Sequence, residues 1–410
     1  MGIPAQRAEG LRAANLWAVQ ARVFVIFAAG YFLSYLYRTV NAVLAPDLTR
    51  DLALSPADLG LLTAAYFMTF ALFQVPLGVL LDKYGPRRVE SLLLVLAAMG
   101  AAGFALAETV PMLILARALI GLGVSACLMA GFKALVQWFP REKLPLWNSV
   151  YMVAGGLGAV TAAAPVELAL QVTDWRGVFL ALAGLTLLAA LAIALFVPTP
   201  PTDPHAAPTG DSVLAGLKAI YGSALFWRIA PMAAACQGTY LAYQSLWIGP
   251  WVRDVQGLER AAAASVVTAA AVGMAGGYLL LGLIAEAARR RGIGPLTVAR
   301  IGMSLFVLVQ ISLLLAAPLP PTLSWMLFGG IGSASMLCYA YLSQSMPPHL
   351  AGRVNTAVNM LCFVQAFIVQ AGIGELVNHL GAPGHAVGLG LCITLEIAAL
   401  IWGLLRPNRR

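Results

Sequence analysis

The chain has 410 residues, 60% of them hydrophobic and 10% charged, with a formal net charge of +8. Soluble domains carry roughly 25% charged and about 45–50% apolar residues, so this composition excludes a soluble enzyme, a disordered chain and a membrane anchor bearing a large extramembrane domain. The cysteines Cys127, Cys236, Cys338, Cys362 and Cys392 are scattered inside apolar stretches, which excludes a disulfide scaffold.

A spanning helix needs about 20 mostly apolar residues. Apolar runs bounded by charge, Pro or Gly fall at 19–45, 57–81, 88–107, 111–137, 146–170, 177–197, 225–250, 260–287, 296–317, 322–346, 352–378 and 384–405. Numbered 1 to 12 in chain order, these segments predict an all-α polytopic membrane protein with twelve transmembrane helices. Residues 1–18 are mixed and polar without a cleavable leader pattern, so segment 1 is expected to act as its own signal. One connection is long: it opens with Pro198-Thr199-Pro200-Pro201, contains Pro204 and Pro208, and reads as a flexible linker. The expected organisation is an N-terminal six-helix bundle (1–197), a cytoplasmic linker (198–222) and a C-terminal six-helix bundle (223–410).

Basic residues set the expected orientation. Of 25 Lys and Arg, 19 fall on the side of the N-terminus, four (Arg50, Arg176, Arg253 and Arg260) on the other, and Arg38 and Arg117 lie within helices. Both termini are therefore expected to be cytoplasmic. The positive charge is accounted for by topology and calls for no nucleic-acid partner. With 21 Arg against 4 Lys and abundant Ala, the composition is that of a GC-rich bacterial genome, and the expected location is a bacterial inner membrane.

The two groups of six segments echo each other. Gly78-Val79-Leu80-Leu81-Asp82-Lys83-Tyr84-Gly85-Pro86-Arg87-Arg88 follows segment 2, and Gly282-Leu283-Ile284-Ala285-Glu286-Ala287-Ala288-Arg289-Arg290-Arg291-Gly292 follows segment 8, 204 residues later. Each has a glycine, an acid four residues on, then a basic cluster. Two parallel repeats with a site between them form a transporter architecture. Asp82 sits where it can pair with Arg87 or Arg88 and with a helix amino end. This is either a latch made in one conformation and broken in another, or a set of charges that fixes topology alone.

The chain resembles the major facilitator superfamily over essentially its whole length. Gly78 to Arg88 is similar to that family's loop between helices 2 and 3, and Leu115-Ala116-Arg117-Ala118-Leu119-Ile120-Gly121-Leu122-Gly123 to its fourth-helix motif. Asp174-Trp175-Arg176-Gly177-Val178-Phe179 resembles the start of helix 6, and His349-Leu350-Ala351-Gly352-Arg353-Val354-Asn355 the turn into helix 11. Arg38-Thr39-Val40-Asn41 with Ala45-Pro46 resembles the first helix of the organic anion (anion–cation symporter) branch. The resemblance implies rocker-switch alternating access, helices 1, 4, 7 and 10 at the centre, and gating or coupling roles for Asp82, Arg87, Arg88, Arg117 and Glu286. The Gly-Pro pair that drug-exporting members carry in helix 5 is missing: Ala154-Gly155-Gly156-Leu157-Gly158-Ala159 has no proline.

Segment 1 carries the most informative polar pattern. Tyr31, Ser34, Tyr35, Arg38 and Asn41 recur at spacings of three and four, hence on one face. A shift of 206 carries Tyr31, Ser34, Arg38 and Asn41 onto Gln237, Tyr240, Gln244 and Trp247 of segment 7. Polar groups are costly in lipid and face a bundle interior or water, so matched stripes predict a central cavity. Arg38 and Arg117 each need a partner, yet segments 1, 4, 7 and 10 hold no deep carboxylate; Asp47 lies at an end. An anionic ligand is the simplest partner, because guanidinium grips carboxylate bidentately. The alternative for Arg38 is that it reaches the outer surface and never meets substrate.

Tyr66, Gln74, Tyr151, Tyr339, Ser343, Asn355, Asn359 and Gln365 could line the cavity or bond neighbouring helices. Glu396 reads as the one acid far inside a helix, and Gly155, Gly156, Gly158, Gly273, Gly276 and Gly277 as close-packing positions. No phosphate-binding loop is present, so ATP does not drive the protein directly, and no catalytic cluster or cofactor is expected. A one-turn Met232/Cys236 pair without an intramembrane histidine makes a poor metal site. The expected function is secondary transport of a small organic anion, a carboxylate foremost, with protons as the default coupling ion and a monomer in the bilayer as the working unit. Arg38 would be the clamp, Tyr31, Ser34, Tyr35, Asn41, Gln237, Tyr240 and Gln244 the pocket, and Trp247 an apolar wall. The alternative is an exporter of drugs or of neutral or cationic metabolites.

Overall fold

The computed structural model describes residues 5–140, 144–199, 213–347 and 350–405, and all regular structure among them is helical. Residues 200–212 of the expected linker and His349 of the turn into segment 11 lie outside the described residues, as does the side chain of Asp82. The last part of the expected linker is a short, mostly apolar helix, Val213–Tyr221, in which Ile220 is buried.

Among the described residues, eleven helices are long and apolar enough to cross a membrane: Trp17–Thr39, Pro56–Leu81, Lys83–Ala105, Val110–Trp138, Val150–Ala169, Trp175–Phe196, Arg260–Arg290, Pro295–Leu314, Pro321–Ser345, Arg353–Leu380 and Pro383–Leu404. They coincide with every expected segment but the seventh. Segment 7 is helical too, as Ala224–Ala242, a π-helical turn Tyr243–Trp247 and Ile248–Asp254. Every residue from Met232 to Val252 is buried. A helix encased by protein on all sides is not selected for apolarity by lipid, which explains the polar residues that lower its hydropathy.

Local chemistry sets several boundaries. Ser55 and Asp58 form a capping box at the start of segment 2. The chain runs from segment 2 into segment 3 through Gly85, whose φ of 77° lies in the region that favours glycine. At the start of segment 6 the Asp174 carboxylate accepts from the Gly177 N–H at 2.7 Å. There Arg176 donates to the Ala105 and Ala107 carbonyls at 2.7 and 2.8 Å, anchoring the end of segment 3. The Trp175 indole N–H donates to Asp51 at 2.9 Å and, with Arg50, holds that carboxyl below the usual range.

Segments 1, 4, 7 and 10 are all interrupted, segments 4 and 10 near mid-length and segments 1 and 7 in their last third. Segment 1 turns at Val40 between Ala5–Thr39 and Asn41–Leu52. Segment 4 is Val110–Gly123 and Cys127–Trp138, and segment 10 is Pro321–Gly332, a 3₁₀ turn Ser333–Ser335 and Met336–Ser345. The breaks in segments 4 and 7 release backbone groups that water cannot satisfy inside a bilayer, and side chains from neighbouring segments take them up. Ser34 Oγ donates to the Val124 carbonyl at 3.4 Å, Gln74 Nε2 to the Ser125 carbonyl at 3.3 Å and Gln370 Nε2 to the Ala242 carbonyl at 2.8 Å. Thr39 bonds back to the Tyr35 carbonyl at 2.9 Å, a contact that bends helices, and Pro46 removes the donor that would have met the Ala42 carbonyl.

The end of the bundle where segment 1 begins is the near end, and the end with the turns at 53–55, 170–174 and 255–259 is the far end. Segments 1–6 meet segments 7–12 at the far end and at mid-depth. Gly60 and Gly374 bring segments 2 and 11 together, Gly249 packs against the Ala42 carbonyl, and Gly156 packs against Ala275. At the near end a Cβ on Gly78 or Gly282 would meet nothing within 4 Å.

Within segments 7–12, a small-residue seam joins segments 8 and 10. A Cβ on Gly273 would strike the Met326 carbonyl, on Gly277 the Gly330 carbonyl, and on Gly329 the Ala270 carbonyl, whereas Gly276 faces open space. Gly277→Val is therefore expected to lower stability by about 1–3 kcal/mol through overpacking, and Gly276→Val by much less. Thermal unfolding in detergent compares the two; equal losses would show that the seam does not control packing.

Candidate functional site

A narrow cavity of about 30 Å³ lies at mid-depth, lined by Tyr31, Ser34, Tyr35 and Arg38 of segment 1, Phe70 of segment 2, Leu128 of segment 4, Gln237 and Leu241 of segment 7, Met336 and Tyr339 of segment 10, and Asn359 and Phe363 of segment 11. A buried water needs roughly 10–15 Å³, so the space takes about two waters in this conformation. Ligand pockets run to about 300–1,000 Å³. Admitting an organic molecule requires the segments to part.

Arg38 is the charged group on this cavity. It is 5% exposed, and among the described residues no carboxylate pairs with it. Its guanidinium carbon lies 4.4 Å from the ring centre of Tyr35, 5.3 Å from Phe70 and 5.1 Å from Phe363. Phe70 and Phe363 stack at 4.1 Å with planes 7° apart, joining segments 2 and 11 beneath it. Arg38 Nε has no hydrogen-bond partner. The guanidinium thus occupies an aromatic cage whose walls come from both sets of segments, and its geometry favours an anion or a π face.

Polar groups complete the wall. Ser335 Oγ donates to Gln237 Oε1. Tyr339 Oη donates to Asn359 Oδ1 at 3.2 Å. Tyr31 stacks on Tyr151 with centroids 5.1 Å apart, and the Tyr35 and Tyr278 hydroxyls meet at 3.1 Å between segments 1 and 8.

Five of the nine residues expected at the pocket therefore line one cavity: Tyr31, Ser34, Tyr35, Arg38 and Gln237. The other four do not. Asn41 is fully buried and donates to Thr63 Oγ1 at 3.2 Å. Tyr240 packs against Phe306 and Phe328, and Gln244 Nε2 lies 2.7 Å from Met274 Sδ. Trp247 lies edge-on to the His385 ring at 5.8 Å. The π-helical turn at 243–247 shifts the register of segment 7, so a stripe continuous on an ideal helix does not stay on one face.

The charged positions separate in the same way. Arg117 is fully buried, donates from Nη1 to the Tyr37 carbonyl at 2.9 Å and lies 5.1 Å from the Tyr66 ring centre, so it ties segment 4 to segment 1 without touching the cavity. Arg87 turns to segment 6, donating to the Ala194 carbonyl and to Thr199; Arg88 is exposed. Glu286 pairs with Arg289 and Arg290 of its own helix at 2.8 and 3.2 Å.

Sequence reasoning missed Phe70, Phe363 and Tyr278, because an aromatic residue in an apolar segment carries no mark of its own. It gave Tyr339 and Asn359 less weight than the wall gives them. It also missed a second acid far inside the bundle. Glu90 is fully buried, although two residues from Arg88 it reads as part of a charged helix end. The signal was present in the spacing: Glu90, Leu94, Ala97, Ala101 and Phe104 recur at three and four residues and all are fully buried. Glu396 is buried as well, accepting from Gln310 Nε2 at 2.6 Å.

A helical bundle with long apolar spans and an arginine-bearing polar cavity between two sets of segments defines a multi-pass membrane transporter. Residues 27–369 match the Major Facilitator Superfamily, and the chain belongs to that superfamily. A galacturonate transporter of Dickeya chrysanthemi is 30% identical over 171 residues, 42% of this chain and 50% of that one, so the matched stretch spans half of that relative's length. A protein described as a probable sulfoacetate transporter, SauU of Cupriavidus necator, is 25% identical over 302 residues, 70% of each chain. MdtD of Escherichia coli, named for multidrug resistance, is 28% identical over 173 residues, 42% of this chain and 37% of that one. The crystal structure of a bacterial homologue of the human lysosomal transporter Spinster, inward-facing and unoccupied, superposes with a TM-score of 0.71 at 17% identity, covering 94% of this chain and 96% of that one, which establishes the shared fold.

The far end is shut by charge as well as by packing. Arg260 at the start of segment 8 reaches Asp47 at 2.6 Å and Glu167 at 2.7 Å, and Thr268 Oγ1 accepts from the Ala164 N–H at 3.2 Å. Outside this triad, Asp47, Glu167, Asp174, Arg50 and Arg260 line a vestibule of about 270 Å³. Arg260 is partly exposed, so its pairs contribute only about 1 kcal/mol after solvent screening. Arg260→Ala is expected to raise thiol labelling of an Ala42→Cys variant by roughly fivefold. An unchanged labelling rate would show that packing alone holds the far end closed.

Proposed function

We propose that this transporter moves a small organic anion, a carboxylate foremost, across the bacterial inner membrane by alternating access, with Arg38 as its clamp. The observation that carries the reading is a buried guanidinium on the central cavity with no carboxylate partner among the described residues. Relatives named for galacturonate and for sulfoacetate support the substrate class. The side-chain amides of Gln237 and Asn359 give such an anion hydrogen-bond donors on the same wall. The far end is closed in this conformation, so opening there would require the Arg260 triad and the Phe70–Phe363 stack to part. The reading takes segment 7 as the twelfth span, divides the chain into bundles at 1–197 and 223–410, and puts both termini in the cytoplasm on the strength of the 19-to-4 basic bias. It assigns Arg117 to tying segment 4 to segment 1, and Asp82, Arg87, Arg88 and Glu286 to the cytoplasmic turns that rearrange as that end closes. Proton symport would offset the anion's charge, and the working unit would be a monomer.

The exporter reading has its own support in MdtD and in the aromatic rings around the cavity. The two differ over Arg38. Binding and uptake of a panel of labelled carboxylates by the purified protein in vesicles separates them. Arg38→Ala is expected to weaken carboxylate binding by about 1.5–3 kcal/mol, roughly 10- to 100-fold. Arg38→Lys, which keeps the charge and loses the fork, should fall between. Normal carboxylate transport by folded Arg38→Ala would remove the clamp. Flux of neutral or cationic compounds that ignores the substitution would favour the exporter.

A further inference from the structure

Glu90 has no task in anion binding, and its surroundings are unusual for a carboxyl group. It stands five residues past the Gly85 bend that opens segment 3, fully buried, with neither side-chain oxygen receiving a hydrogen bond of good geometry. Segment 1 presses against it through Gly30, where even a Cβ would collide with a Glu90 oxygen. The titratable groups facing it are the Cys127 thiol of segment 4 and the Tyr151 hydroxyl of segment 5. Both are neutral hydrogen-bonding groups. The basic residues on its own helix turn elsewhere: Arg87 donates to the Ala194 carbonyl of segment 6, and Arg88 is exposed. Glu396 differs, since Gln310 donates to it.

A buried carboxylate needs a cation or several donors, and the neutral acid is the form that burial tolerates without them. Water reaching the site would make the charged form acceptable again. The charge on Glu90 is thereby linked to how segments 1, 3, 4 and 5 pack. That packing leads directly to the cavity. Tyr151 donates to the Phe27 and Cys127 carbonyls and stacks on Tyr31, the neighbour of Gly30 and a cavity residue. Gly30 and Arg38 share segment 1, about 12 Å apart at 1.5 Å per residue.

We propose that Glu90 is the proton-binding group of this transporter. Its carboxylate takes one proton from water at one end, is occluded as the acid while segments 1, 3, 4 and 5 pack around it, and returns that proton to water at the other end. No other bond forms or breaks. One proton accompanying one monocarboxylate on Arg38 moves no net charge. The assignment rests on the proton-coupled part of the proposed function and deepens it by naming the residue.

The test uses the purified full chain in lipid vesicles with no anion present, so that its outcome is independent of the Arg38 reading. Difference infrared spectra are recorded as pH is stepped from about 5 to about 9, the range over which buried glutamates have been found to titrate. The wild type is expected to show the carbonyl stretch of a protonated carboxylic acid that disappears as pH rises. Because Glu396 is also a fully buried carboxyl, the comparison is made in a Glu396→Gln background, which should keep a titrating band that adding Glu90→Gln abolishes. Distances between spin labels at Val172→Cys and Val255→Cys, across the far end, should depend on pH in the wild-type background and not with Glu90→Gln. A titrating band in the Glu396→Gln background that survives the added Glu90→Gln, or no titrating band in that background, overturns the assignment. So does a wild type with no titrating band in that range, a result that stands even if Glu90→Gln does not fold. Carboxylate uptake that still depends on Arg38 in that event would leave the anion reading intact.

Discussion

A guanidinium buried at mid-depth, with aromatic rings where a carboxylate would be expected, is the interaction on which the central architecture depends. Holding an arginine at the centre of a bilayer costs about 2.5–3.5 kcal/mol or more. A desolvated cation–π contact returns about 2 kcal/mol, and Arg38 has three rings within 5.3 Å. The cage therefore offsets much of the cost while leaving Nε without a partner. Such a site tolerates being empty yet keeps its capacity for charge. Two of the rings, Phe70 and Phe363, also form the stacked contact between segments 2 and 11. Moving the guanidinium onto another partner and separating these segments would disturb the same few contacts.

The second constraint is the backbone. Breaking a helix inside a membrane exposes groups that only protein can satisfy, and here the interruptions of segments 4 and 7 are met by polar side chains from adjacent segments. Ser34 serves Val124, Gln74 serves Ser125 and Gln370 serves Ala242. Part of the polarity that reads as a binding surface is thus committed to holding the breaks. Only a subset of the polar stripe remains for a ligand, and the cavity draws on six segments rather than on two facing stripes.

The two ends of the bundle differ in character. The far end combines glycine contacts, a backbone-to-hydroxyl bond and the Arg260 triad, whereas Gly78 and Gly282 at the near end have open space beside them. Weak, partly exposed ion pairs suit a closure that has to be reversible, because each contributes little and can be replaced by water.

Length, hydropathy and the charge bias of the loops made the fold class legible in the sequence, because a bilayer imposes apolarity on every residue that faces it. Arg38 was legible as well: a lone charge on a polar helical face stands out against an apolar background. Segment 7 was recognised as a helix, yet its π-helical turn, which turns Gln244 and Trp247 off the face of Gln237, was invisible, and Tyr240, ahead of that turn, packs on Phe306 and Phe328 instead. Phe70 and Phe363 matter only because segments 2 and 11 bring them together, and Glu90 is a deep acid only because its helix turns it against Gly30. Covalent order and one-dimensional periodicity report what faces lipid. Which buried side chains meet, and which polar groups remain without partners, depends on contacts between residues hundreds of positions apart, and only the tertiary structure decides those.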